Sequence, residues 1–259
     1  MEGIDFVIHA AALKQVDKAE YNPYEYIKTN ILGAHNIIDA SIYNNVKNVI
    51  ALSTDKASSP INLYGATKLC SDKLFLSANN IKGNRKIKFS VVRYGNVMGS
   101  RGSVLPFFLK QKNLFPITDK RMTRFNITLE HSVEMVAWSL KNNLGGEIFV
   151  PKIPSYKIID LATATNSKLK QKIIGIRPGE KIHEELISEN DGIKTVEYKD
   201  YYAILNNFND TEVKDNEKKK KIKRVRKNFS YNSYNEGVYL SIGELKKEIK
   251  KFKKSLVSY

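Results

Sequence analysis

The stretch "VKNVIALSTDKASSPINLYGATK" (residues 46–68) decides how the chain is read. Its first part, "VKNVIALS" (46–53), is a short apolar run of strand length. After a polar loop, residues 63–80 read as a helix, with Leu63, Leu69, Leu74 and Leu76 among its apolar positions. Upstream, "DFVIHAA" (5–11) is a nearly continuous apolar run, suited to a strand buried on both faces. A helix then opens near Asn22-Pro23 and runs to about Tyr43: Asn22 suits the cap, Pro23 the first helical position and Glu25 the first turn. Downstream, "IKFSVVRYGNV" (87–97) is a third strand. Strand, helix, strand, helix, strand implies βαβ units, a parallel sheet and the α/β class.

Beyond residue 100 the pattern loosens. "GSVLPFFLKQK" reads as a short helix, "HSVEMVAWSLKN" (131–142) as a longer one and "GEIFVP" (146–151) as a strand. "SYKIIDLATAT" and "KIHEELI" read as helices flanking the strand "KIIGIRPG". Residues 206–228 are polar and lysine-rich, a loop or partly disordered insertion, and 241–256 close the chain as a charged amphipathic helix.

Lys and Arg number 43 against 27 Asp and Glu, a net charge of +16. Much of the excess lies after residue 213, where a lysine run reads first as a solvated face. No RNA-binding signature accompanies it, so nucleic acid is not an expected partner. Cys70 is the single cysteine, which excludes an internal disulfide framework. No apolar run reaches 18 residues, and the first residues lack the basic region of a signal peptide; a cytoplasmic enzyme without a membrane partner is the expectation. His9 and His183 show no metal-ligand spacing, and no metal is expected.

Within the central stretch, Tyr64 and Lys68 are four apart and share one face of a helix. A tyrosine hydroxyl is a poor base at neutral pH unless neighbouring cations favour the tyrosinate. Tyr-x-x-x-Lys alone is a weak motif; one loop after a strand, inside a βαβ pattern, it points to redox chemistry on a hydroxyl group. Asp55 and Lys56 go beyond what hydride transfer needs. Eliminating water from a sugar requires a base for a carbon-bound proton and an acid for the departing hydroxyl, and this pair has both groups at a strand's C-terminal end. A plain loop salt bridge is the other reading of the pair.

These residues, together with "FVIHAAALKQV", "YIKTNILGAHNIIDA", "RYGNVMGSRGSVLPFF", "PITDKRMTRF", "GGEIFVPKIPS" and "IIGIRPGEKIHEELI", resemble the extended short-chain dehydrogenase/reductases. Within them the chain is most similar to the inverting UDP-N-acetylglucosamine 4,6-dehydratases of the pseudaminic acid pathway. The resemblance implies a Rossmann-like, doubly wound parallel sheet with a smaller C-terminal substrate-binding lobe. It also implies that the first strands and the Gly-rich phosphate loop lie before residue 1, so that the chain is truncated at its N-terminus. Residues 1–100 would be the C-terminal part of an NADP-binding domain with the catalytic residues, 101–205 a mixed region completing the sheet and forming the substrate lobe, and 206–259 the insertion and final helix.

The implied reaction is a closed redox cycle on NADP. Tyr64 takes the proton of the C4 hydroxyl as hydride leaves C4, with Lys68 tuning Tyr64 and holding the ribose. Lys56 removes the C5 proton, Asp55 protonates the leaving C6 hydroxyl and Thr54 hydrogen-bonds the substrate. Ala10, Ala11, Thr29, Asn30, Tyr94, Gly95, Asn96, Val97, Ser100 and Arg101 match the family's cofactor contacts. Lys14, Asn96, Val104, Thr118 and Arg177 match contacts to UDP-N-acetylglucosamine, and a complete enzyme would be a homo-oligomer. A UDP-sugar C4 epimerase shares the Tyr-Lys pair without needing Asp55 and Lys56 as a couple, and an inactive relic or binding subunit is the reading from another class.

Overall fold

The computed structural model describes residues 1–205, 222–235 and 238–257. The chain opens with β1 (Phe6–His9), α1 (Val16–Tyr21), α2 (Pro23–Tyr26), a π-helical turn (Ile27–Leu32) and α3 (Gly33–Tyr43). There follow β2 (Asn48–Thr54), a 3-10 turn (Asp55–Ala57), α4 (Leu63–Ile81), β3 (Lys88–Tyr94), α5 (Val104–Leu109), β4 (Leu114–Ile117), β5 (Thr123–Phe125), α6 (Leu129–Asn142) and β6 (Glu147–Pro151). The remainder comprises β7 (Ser155–Lys157), α7 (Ile158–Thr165), β8 (Lys170–Ile173), β9 (Glu185–Ile187), α8 (Glu189–Gly192), β10 (Thr195–Glu197), β11 (Tyr201–Leu205), β12 (Lys223–Arg224), β13 (Tyr231–Asn232) and α9 (Ile242–Val257).

Two compact units interleave along the chain. The first comprises residues 1–94, 133–152 and 185–231; the second comprises 95–132, 153–184 and 232–259. The expected middle segment 101–205 is therefore shared between the two, since strands distant in sequence join one sheet.

The first unit is built on a seven-stranded sheet of order β1-β2-β3-β6-β11-β10-β12. β1, β2, β3 and β6 run parallel, in the register Ile8↔Ile50 and Ile50↔Ser90, while β11, β10 and β12 add antiparallel. It is a mixed α/β sheet with a parallel centre. Ile50, Val92, Phe149, Val196 and Ala203 form a core with Met135 and Val136 of α6. Trp138 of α6 stacks on Tyr201 and meets Phe149 edge-on. β1 is not buried on both faces as its apolar run suggested: Phe6 and Ile8 are 55% and 50% exposed, because β1 ends the sheet and no described element covers that face.

The second unit contains two small sheets, parallel β4–β8 and antiparallel β5–β7. Its core gathers Leu105, Phe108, Phe115, Ile117, Tyr156 and Leu161 with Leu245 and Ile249 of α9. Ser241 and Glu244 cap α9 reciprocally, Ser241 N–H donating to the Glu244 carboxylate at 2.8 Å and Glu244 N–H to Ser241 Oγ at 3.3 Å. Among the described residues no helix is long and apolar enough to cross a membrane.

Local differences from the sequence reading have identifiable causes. "KIHEELI" is not a helix: in the second unit the Ile182 carbonyl accepts from Thr123 N–H and the Arg124 guanidinium, and residues 185–187 extend as β9. "SYKIIDLATAT" begins as the strand β7 and becomes helical only at Ile158. The helix expected from Asn22-Pro23 to about Tyr43 is present as one continuous helical run, α2, the π turn and α3 following without interruption, although Asn22 makes no side-chain cap bond. Most of the lysine-rich segment 206–228 lies outside the described residues.

Candidate active site

The first unit brings together the C-terminal end of β2 and the first turns of α4. Asn62 caps α4 by accepting from Gly65 N–H at 2.8 Å, and Leu63 N–H donates to the Glu20 carboxylate at 2.7 Å, so two otherwise orphaned amides are satisfied. Gly65 lets the helix approach closely, since a Cβ there would collide with the Lys56 carbonyl oxygen. That approach sets Tyr64 beside the turn carrying Asp55 and Lys56.

The turn holds a compact ionic site. Asp55 is fully buried, and its Oδ1 accepts from Thr54 Oγ1 at 2.9 Å and Lys56 Nζ at 3.0 Å. The Lys56 side chain keeps 21% of its surface exposed, so the pair opens to solvent on the lysine side. Tyr64 is buried, and burial pushes its pKa up to about 12. The Lys56 charge and a hydrogen bond with Thr54 oppose that rise. Lys56 is thus one cation acting on the Tyr64 hydroxyl. Lys68, one turn on and also buried, donates to the Leu52 carbonyl at 2.8 Å. Burial lowers its pKa, and the Asp72 charge one further turn along α4 opposes the fall.

Sequence reasoning missed what lies beneath this pair. Asp72 Oδ2 accepts from Ser53 Oγ at 2.7 Å and pairs with Arg93 Nη2 at 3.3 Å. Arg93, on β3 and only 1% exposed, also reaches Asp191 at 3.3 Å and donates to the Leu186 carbonyl at 3.1 Å. The series Tyr64, Lys68, Asp72 at spacing four was visible in the sequence; a charged arginine inside the apolar run of β3 carried no such signal.

The other candidate positions fall in both units. In the first, Ala10, Ala11 and Lys14 are exposed on the loop after β1, and Thr29 and Asn30 lie in the π turn, a wide helical geometry frequent at functional sites. Asn30 is buried, bonding both backbone groups of Leu13 at 2.9 and 3.0 Å and Thr67 Oγ1 at 3.0 Å. Its amide therefore shapes the loop and fixes α4, leaving little capacity for a ligand. Tyr94, at the end of β3, has its pKa raised by burial. In the second unit, Gly95 is buried, Asn96 Oδ1 is buried with no hydrogen-bond partner among the described residues, and Val97 pairs with Ile127 in an isolated bridge. Ser100 N–H donates to the Val97 carbonyl at 3.1 Å, and Arg101 is exposed. Val104 packs on that unit's core, Thr118 Oγ1 donates to Met122 Sδ at 2.9 Å, and Arg177, 71% exposed, pairs with Glu180 at 2.7 Å.

Known proteins sort this arrangement into a family. Residues 1–206 match the polysaccharide biosynthesis protein family. The chain belongs to that family. A UDP-N-acetylglucosamine 4,6-dehydratase (inverting) of Campylobacter jejuni is 56% identical over 95% of this chain and 76% of its own length. A protein named UDP-glucose 4-epimerase from Rickettsia canadensis is 44% identical over 79% of this chain and 62% of its own length. Among solved structures, Pen from Bacillus thuringiensis superposes with a TM-score of 0.85 at 36% identity, over 98% of this chain and 78% of that one.

His9, at the end of β1, offers a test of the site's electrostatics. Burial and the Lys68 charge hold its pKa down at about 4, and its ring lies 5.3 Å from that of Phe75. Between about pH 6.5 and pH 4 the unfolded chain binds a proton at His9 that the folded chain refuses. Stability must therefore fall as pH drops through that window. Urea unfolding at successive pH values is expected to show the decline, and His9→Gln to flatten it; identical slopes in both proteins would refute the assignment.

Proposed function

We propose that the chain is a C5-inverting UDP-N-acetylglucosamine 4,6-dehydratase that works with NADP in the cytoplasm. The observation that carries this reading is the joining, in one unit, of the Asp55–Lys56 ion pair to the Tyr64–Lys68 helix face. The residues fit the dinucleotide: an ammonium has three donors, Leu52 takes one from Lys68, and the desolvated remainder suits ribose hydroxyls. Bound NADP supplies the hydride acceptor and donor and, when oxidised, a positive ring that favours the tyrosinate.

Tyr64 then accepts the proton of the C4 hydroxyl, assisted by the Lys56 charge already acting on it. A ketone at C4 makes the C5 proton acidic. Moving one proton from Lys56 to Asp55 across their 3.0 Å contact creates a neutral amine and a carboxylic acid together, and removes two charges from a buried site. Lys56 takes the C5 proton, and Asp55 gives its proton to the leaving C6 oxygen as water departs. Once the hydride taken from C4 has been returned to C6, C5 would be reprotonated from the opposite face, which inverts that centre. Thr54, bonded to Asp55, holds the acid in place.

The test is incubation with UDP-N-acetylglucosamine in D2O. Deuterium at C5 with loss of the C6 hydroxyl is the expected result. A C4-inverted sugar that keeps its C6 hydroxyl would instead establish an epimerase, the reading favoured by the Rickettsia relative's name.

A further inference from the structure

The turn between the Asp55–Lys56 pair and the Asn62 cap of α4 contains an unfavourable residue. Ser59 has φ +42°, and besides Ser59 only two asparagines carry positive φ among the described non-glycine residues. Asparagine tolerates that region; serine carries a Cβ without the same local compensation. Pro60 follows, so Ser59 is also restricted by the proline ring behind it. A strained residue persists only where its surroundings hold it.

The holder is Glu185, the first residue of β9. One carboxylate oxygen, Oε2, accepts from Ser59 Oγ at 2.8 Å and from Ser58 Oγ at 3.1 Å. Glu185 is itself anchored, because Leu186 and Ile187 beside it are fully buried and the Leu186 carbonyl is bonded by Arg93. Ser58 N–H donates to the Asp55 carbonyl at 3.2 Å, which connects the clamped serines to the acid.

We infer that Glu185 is a positioning residue for the Asp55–Lys56 pair, fixing the turn behind it through the Ser58 and Ser59 hydroxyls. The inference rests on the reading of that pair as acid and base. Because both bonds end on one oxygen, Glu185→Gln keeps an acceptor for both hydroxyls while Glu185→Ala removes it.

The closing experiment is amide hydrogen exchange on the full chain without ligand, resolved by peptide. Glu185→Ala is expected to speed exchange across residues 56–61 by about tenfold, the scale of a lost charge-assisted hydrogen bond. Residues 66–78 of α4 should stay unchanged, and Glu185→Gln should remain close to the native rate. Ser58→Ala with Ser59→Ala should reproduce the loosening from the other side, in case Glu185→Ala folds poorly. Unchanged exchange at 56–61, or an equal rise throughout α4, would overturn the inference. In turnover, the clamp predicts that Glu185→Ala slows deuterium entry at C5 while C4 oxidation, read as cofactor absorbance, persists; equal loss of both steps would count against it. A native chain that makes no dehydrated product would refute the proposed function and leave the exchange result to judge the clamp.

Discussion

Replacing Lys56 with arginine is expected to separate the two halves of the proposed reaction. Arginine keeps a positive charge beside Tyr64 but cannot lose its proton and act as a base. C4 oxidation should survive, because the cation that lowers the Tyr64 pKa is retained. Abstraction of the C5 proton should fall by about 10²–10⁴-fold, the usual contribution of a general base. The expected signature is reduced cofactor that forms with substrate and then persists, with little deuterium entering C5. Lys56→Ala should be worse in both steps. It removes the base, and it also leaves the buried Tyr64 hydroxyl with an even higher pKa, since the largest opposing contribution is gone. Single-turnover absorbance and mass spectrometry in D2O read the two steps separately. Wild-type C5 exchange in Lys56→Arg would remove Lys56 from the role of base.

The sequence made some of this legible because the signals were local. Strand β2, helix α4 and the Tyr64–Lys68 spacing all lie within about 35 residues, and hydrophobic period and helix capping report on such distances. Asp55 and Lys56 could be singled out for the same reason. What escaped was set by distant partners. "KIHEELI" carries a plausible helical pattern, yet its backbone bonds go to Thr123 and Arg124, about 60 residues away. Glu185 meets Ser58 and Ser59 across more than 120 residues, and nothing in its own neighbourhood marks it. The antiparallel strands β10, β11 and β12 are short, between two and five residues, and only their pairing makes them strands. The bonds of the buried Asn30 amide to Leu13 and Thr67, 17 and 37 residues away, likewise had no local signal.

The second large effect should come from Arg93→Met. Arg93 and Asp72 are both about 1% exposed, so the substitution strands the Asp72 carboxylate in the interior with Ser53 as its remaining hydrogen-bond donor. Breaking a buried pair in this way typically costs about 3–5 kcal/mol. That is a large share of the roughly 5–15 kcal/mol by which folded domains exceed their unfolded chains. Asp191, 29% exposed, can turn toward water and should contribute little to the loss. The double variant Arg93→Met/Asp72→Asn removes the stranded charge, so it should be more stable than Arg93→Met alone. Urea unfolding of the four proteins in this cycle checks the sign; strictly additive losses would mean the two groups are not coupled. Asp72→Asn by itself has a second consequence, on chemistry. The carboxylate is the charge that opposes the burial-driven fall in the Lys68 pKa, and removing it lets that pKa fall further. If protonated Lys68 serves the C4 oxidation, the alkaline limb of that step must move to lower pH in Asp72→Asn. A limb that stays in place while stability drops would confine Asp72 to a structural role and detach it from the Tyr64–Lys68 pair.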